Sequence, residues 1–163
     1  TRYIGDWSSD VCSSDLEAEK IKNEYMNRAH LKIFEKVTNK AFYTSTFDYI
    51  EVPCREQYQN IEEFYSTLFH EMIHSTGHKS RLNRSDMQGT VRHGSEKYSK
   101  EELTAELGSA TLINMLGIET EKSFRNSSAY IQNWLQALKN DNKFIVSASS
   151  KAEKAVKYIL NEQ

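Results

Sequence analysis

The stretch NIEEFYSTLFHEMIHSTG, residues 60–77, decides how this chain is read. Asn60 can cap free backbone N–H groups, and Glu63, three residues on, suits a capping box. Ile61, Phe64, Tyr65, Leu68, Phe69, Met72 and Ile73 recur at helical spacing. The spacing predicts a helix from Asn60 to about Thr76, with Gly77 as its C-terminal stop. Inside it lies His70-Glu71-Met72-Ile73-His74, an HExxH pentad. Positions i and i+4 of a helix share a face about one turn apart. Two imidazoles so placed can grip one tetrahedral zinc ion. Glu71 points in a neighbouring direction, where it can reach a metal-bound water and take its proton as catalytic base. Met72 and Ile73 point the other way and anchor the helix in the core. Two ordinary histidines on an amphipathic helix are the plain alternative. A lone histidine would be read that way; the complete pentad inside a capped helix favours the metal.

Such a site needs a third protein ligand. The longer pattern HExxHxxGxxH is matched at Gly77, but its last position is Ser80 rather than histidine. His78 lies one turn past His74, beyond the expected helix break, and Asp86 follows in the next loop. The better candidates stand downstream. Ser99 with Glu102 matches an S-x-x-E capping box, so a helix is expected to open at Ser99 and to end at Gly117. Glu102 and Glu106 then share a face. Glu102, third in that helix and near its positive end, is expected as the ligand, because that position favours the charged carboxylate zinc requires. Glu106, one turn deeper, is expected to accept the second N–H of a ligand histidine. The plain alternative is a solvated acidic face with Glu102 merely capping. Gly108, Ser109 and Ala110 are small enough to let the two helices pack closely.

Around these two helices the pattern is mixed. Glu17 to about Ala29 is helix-compatible through Ile21, Tyr25 and Met26. Leu31–Phe34 reads as a short strand. Ala41–Tyr43 and Tyr49–Val52 read as a β-hairpin around the loop 44–48, with Pro53 closing the second strand. Residues 78–97 read as a polar loop. Two further helices are expected, Ser127 to about Leu138 and Phe144–Leu160, joined by the turn Asn140-Asp141-Asn142. The fold class is therefore α+β, a small β-sheet followed by the HExxH helix and a helical C-terminal half.

The first sixteen residues are set apart. Asp6–Leu16, DWSSDVCSSDL, resembles the translation of a short-read sequencing adapter, so residues 1–16 are excluded from the fold and 17–163 are taken as one domain. A genuine Ser/Asp-rich tail is the alternative. Setting the segment aside removes Arg2 and also Asp6, Asp10 and Asp15. The totals of 21 basic and 23 acidic residues become 20 and 20. A neutral domain has no overall basic footprint for nucleic acid. No apolar run approaches the ~20 residues of a membrane span, and no signal-peptide pattern is present. Cys12 and Cys54 suggest no disulfide framework, so a cytoplasmic setting is expected.

Three segments together carry a resemblance: FYSTLFHEMIHSTGHKSRLNR (64–84), GSEKYSKEELTAELGSATL (94–112) and AYIQNWLQALKND (129–141). They resemble the C-terminal zincin-like metallopeptidase domain of plasmid antirestriction proteins of the ArdC type, also found in polyvalent proteins of phages and mobile elements. AFYTSTFDYIEVP (41–53) is similar to the strand pair preceding the active helix in that family. The resemblance implies a zinc fold, peptide-bond hydrolysis of a peptide or protein substrate, and cytoplasmic action during entry of foreign DNA. It also implies that single-stranded DNA is bound only by an N-terminal domain missing from this sequence. His78, Arg81 and Arg84 match the segment after the active helix, where pairing with carboxylates to order the loop is one reading. Tyr98 and His93 are candidates for stabilising an oxyanion. A competing function is a binding module with a structural zinc or vestigial activity, acting in antirestriction through protein or DNA contact. Glu71 argues against it, since a structural site needs no base and closes all four positions.

Overall fold

The computed structural model describes residues 13–87, 95–118, 121–138 and 142–162. Helix α1 spans Ser13–Ala29 and is followed by three strands, β1 (Lys32–Lys36), β2 (Phe42–Thr44) and β3 (Tyr49–Pro53). Four further α-helices follow: α2 (Ile61–Thr76), α3 (Glu96–Met115), α4 (Glu121–Ala137) and α5 (Asn142–Leu160). The architecture is the expected α+β one, with helical turns at Arg55–Gln57 and Ser85–Met87.

Strand order in the sheet is β1-β3-β2. The hairpin pairs antiparallel, Tyr43 opposite Ile50, while β1 pairs parallel to β3, Ile33 opposite Ile50. Alternation along β3 turns Ile50 and Val52 inward, both fully buried, and leaves Tyr49, Glu51 and Pro53 partly exposed. Pro53 ends the strand, as expected.

Helix α2 is the centre of the molecule. Phe64, Tyr65, Leu68, Phe69, Met72 and Ile73 are all at 0% exposure, because the sheet, α3 and α5 cover different sides of it. Its start is the one the sequence suggests: Asn60 Oδ1 accepts from Glu63 N at 3.0 Å. Its end is at Gly77, but for a different reason. Gly77 is right-handed (φ −75°), so no left-handed cap is involved. A Cβ there would run into Met87 and come within 2.9 Å of the Arg84 guanidinium. Gly117, at φ +64° with open space around it, is the glycine that terminates α3 by conformation.

Four helix starts differ from expectation. Helix α1 begins at Ser13, one turn before Glu17, and Tyr65 Oη donates to the Asp15 carbonyl at 3.3 Å. Helix α4 begins at Glu121 rather than Ser127, and α5 at Asn142. Helix α3 is capped by Ser95, whose side chain accepts from Tyr98 N at 3.2 Å, not by Ser99. Ser99 is instead a buried residue of the first turns. Glu102 therefore sits in the second turn of α3, beyond the short reach of the helix's positive end. Of the expected 140–142 turn, residues 140 and 141 lie outside the described residues.

Candidate metal centre

Helix α2 places His70 and His74 one turn apart, and α3 brings Glu102 against both. His70 Nε2 lies 3.0 Å from His74 Nε2 and 3.4 Å from Glu102 Oε2. His74 Nε2 lies 3.5 Å from Glu102 Oε1. One ligand atom from each residue falls within 4.8 Å of the others. A tetrahedral ion with bonds of ~2.0–2.2 Å separates its ligands by roughly 3.3–3.6 Å. The three residues thus stand close to the spacing a small divalent ion imposes, with two nitrogens and one oxygen as donors.

Close approach of the helices makes this meeting geometrically feasible. Gly108 faces Ile73, and Ser109 Oγ donates to the Ser66 carbonyl at 2.8 Å. Glu106 lies one turn beyond Glu102, with Oε1 3.5 Å from His70 Nδ1. Glu71 is buried and lines the same cleft of about 510 Å³ as His70, His74, Glu102 and Tyr98. One wall of the cleft comes from β2, through Phe42 and Tyr43. Tyr98 packs edge-on against Trp134 at 5.7 Å and hydrogen-bonds to Glu102. Burial, then the Glu102 charge, push its hydroxyl up to about 12, so it stays a donor at neutral pH.

The charges around the histidines are mutually adjusted. Burial works against the charged form of His74, but Glu101 and Glu102 outweigh it and push the imidazole up to about 10. Burial raises Glu102 as well, and hydrogen bonds to His70 and His74 outweigh it, holding the carboxyl far below its usual range. The cause is the imidazole pair, not the helix terminus. Glu106 is shifted upward, by burial first, with Glu102 adding to it.

The other sequence candidates fall elsewhere. His78 Nδ1 is engaged by Ser80 Oγ at 2.7 Å and lies 3.9 Å from Asp48, away from the cluster. His93 and the side chain of Asp86 lie outside the described residues. Arg81 and Arg84 do pair with carboxylates. Arg81 grips Asp48 and donates to the Ser75 carbonyl at 2.7 Å, which pins the β2–β3 turn to the end of α2.

Sequence reading missed Glu101. Its Oε1 is 3.2 Å from His74 Nδ1, and Arg84 holds both its oxygens. A signal was present: Glu101 shares a helical stripe with Ala105, Gly108 and Leu112, all buried. A carboxylate on an apolar stripe requires a partner.

A family model described as zincin-like metallopeptidase matches residues 20–151, and the chain belongs to that family. Among solved structures it is similar to the antirestriction protein ArdC of plasmid R388. The Mn(II)-bound ArdC structure superposes with a TM-score of 0.70 at 35% identity, covering 90% of this chain and 52% of ArdC. The metal-free ArdC structure gives 0.64 at 33% identity. Curated relatives are DNA primase TraC of Escherichia coli, 38% identical over 124 residues, and uncharacterized protein y4eC of Sinorhizobium fredii, 33% identical over 148 residues. The chain spans 11% of that TraC and 47% of y4eC. No helix among the described residues is long and apolar enough to cross a membrane.

Proposed function

We propose that this chain is a divalent-metal-dependent peptidase domain of the antirestriction type, with His70, His74 and Glu102 as ligands and Glu71 as general base. The observation that carries the reading is the triangle of ligand atoms within 4.8 Å, with Glu71 on the wall of the same cleft. Two imidazoles and one carboxylate suit zinc and leave one of four positions for substrate or solvent. The ArdC relative binds Mn(II), so both ions belong in the test.

When bound, the ion supplies a Lewis acid that polarises a peptide carbonyl and acidifies water. Glu71 takes the proton of the attacking water and returns it to the leaving amine. Tyr98, kept protonated, offers a hydroxyl toward the developing oxyanion. Glu106 accepts from His70 and orients that ring. His74 must release a proton before it can ligate, so ion and proton compete at this site. A peptide or protein segment is the substrate class, in a cytoplasmic setting.

Incubating a cell proteome with wild type and with Glu71→Gln, each loaded with zinc or manganese, tests the reading. New N-termini are expected with wild type alone. Equal patterns from two metal-loaded proteins would leave a metal-stabilised binding module instead.

A further inference from the structure

We propose that Glu101, clamped by Arg84, is the positioning residue that presents His74 to the metal, and that the clamp keeps Glu101 itself off the ion. The proposal rests on the metal-site reading above and deepens it. A metal-binding imidazole must offer one nitrogen as a lone pair and carry its proton on the other. His74 Nε2 is the nitrogen facing His70 and Glu102. Its Nδ1 faces Glu101 Oε1 at 3.2 Å, and an ionised carboxylate can only accept. The proton therefore belongs on Nδ1, and the lone pair on Nε2 points into the ligand triangle.

Glu101 can do this only if it cannot swing. Arg84 Nε donates to Oε2 at 3.0 Å and Nη2 donates to Oε1 at 2.5 Å, a planar fork on a planar carboxylate. The guanidinium is itself fixed to α2: Nη1 donates to Thr76 Oγ1 at 2.6 Å and Nη2 to the Ile73 carbonyl at 2.7 Å. Glu101 is 5% exposed, Arg84 7% and Thr76 0%, so water cannot substitute for these partners. Arg84 reaches this place because the chain doubles back after α2, with Leu82 N donating to the Thr76 carbonyl and Arg84 N to the Gly77 carbonyl. The absent Cβ of Gly77 leaves the room its guanidinium occupies.

The second consequence concerns the neighbouring glutamates. Glu101 and Glu102 are adjacent, and both lie within 3.5 Å of His74. Arg84 occupies both Glu101 oxygens, so Glu102 is the one left to ligate. A freed Glu101 would supply a fourth protein ligand and close the position that hydrolysis needs.

The test uses the full chain with zinc, and with cobalt as its spectroscopic substitute. Zinc affinity is measured by competition with a chromophoric chelator for wild type, Glu101→Ala, Glu101→Gln and Arg84→Met, with folding checked by circular dichroism. Glu101→Ala is expected to weaken zinc 10–100-fold, the range for lost orienting partners. Glu101→Gln, which keeps an acceptor oxygen, is expected to lose less. In zinc-loaded wild type, nitrogen-15 spectra of the histidines are expected to show the His74 proton on Nδ1. Folded Arg84→Met, loaded with cobalt, is expected to show an altered ligand-field spectrum. Zinc on His74 Nδ1, wild-type affinity in both Glu101 variants, or a cobalt spectrum of folded Arg84→Met identical to wild type would overturn the proposal. If Glu101→Ala fails to fold, the wild-type spectrum and Glu101→Gln decide. Wild type that binds no zinc would bring down the metal-site reading, and this proposal with it.

Discussion

Replacing Gly108 with alanine sets two opposed effects against each other inside α3. Alanine is favoured over glycine in a helix interior by about 1 kcal/mol. Against that stands the contact with α2. An added Cβ would lie 2.6 Å from Ile73 Cδ1, 2.8 Å from Cγ1 and 3.2 Å from Cγ2. The first contact can be relieved by turning χ2 alone. The other two involve both branches at the Ile73 Cβ, so relief requires a χ1 change or movement of a helix. A β-branched residue in a helix has one strongly preferred χ1, and Ile73 is fully buried. Overpacking of this kind costs ~1–3 kcal/mol, and two immobile branches place it in the upper half. The net expectation is a loss of about 1–2 kcal/mol. At ~2–4 °C per kcal/mol for a domain of this size, Tm should fall by roughly 2–8 °C. Thermal unfolding followed by circular dichroism reads it directly. The partner variant Ile73→Val removes Cδ1, so the double variant should lose less than the two single losses combined. Metal affinity should fall too, since the strain acts beside His74 and between the helices carrying the ligands. A Tm that is unchanged or raised, or strict additivity with Ile73→Val, would refute the close-packing argument.

Glu102→Ala should abolish measurable zinc or manganese binding in titration calorimetry, whereas Glu106→Ala should weaken it only 10–100-fold; the reverse order would make Glu106 the ligand. Asp48 is held below its usual range: burial works against this, but hydrogen bonds from Arg81 and Tyr43 outweigh it. A depressed folded-state carboxyl contributes stability above its unfolded value of ~3.9, and that contribution is lost as pH falls through the folded value. Asp48→Asn should therefore be less stable than wild type at pH 6, with the gap narrowing as pH drops below about 4. A gap independent of pH would point to lost packing alone. Removing residues 1–16 should leave Tm and metal content unchanged, as the adapter reading requires; a large drop in Tm would make that segment, which includes the first turn of α1, part of the domain.

The sequence by itself determined what depends on neighbours a few residues apart. The Asn60 cap, the apolar period of α2 and the i, i+4 placement of His70 and His74 are local, and they appear where the pattern put them. Glu102 and Glu106 were readable for the same reason, as a pair on one face of one helix. Other features rested on contacts that cross the chain. Ser99 with Glu102 is the better local capping box, yet α3 is capped by Ser95, because Glu102 is turned toward two imidazoles and is unavailable to its own helix end. A cap contributes only ~0.5–2 kcal/mol, less than the cost of leaving those buried charges unpaired. The parallel pairing of β1 with β3 joins strands with the hairpin partner β2 between them in sequence, which no local period reports. Glu101 is the sharpest case. Its partners, Arg84 and His74, are 17 and 27 residues away. Only the fold, by turning the chain back through Gly77 and pressing α3 against α2, makes a carboxylate on an apolar stripe the partner of a candidate metal ligand.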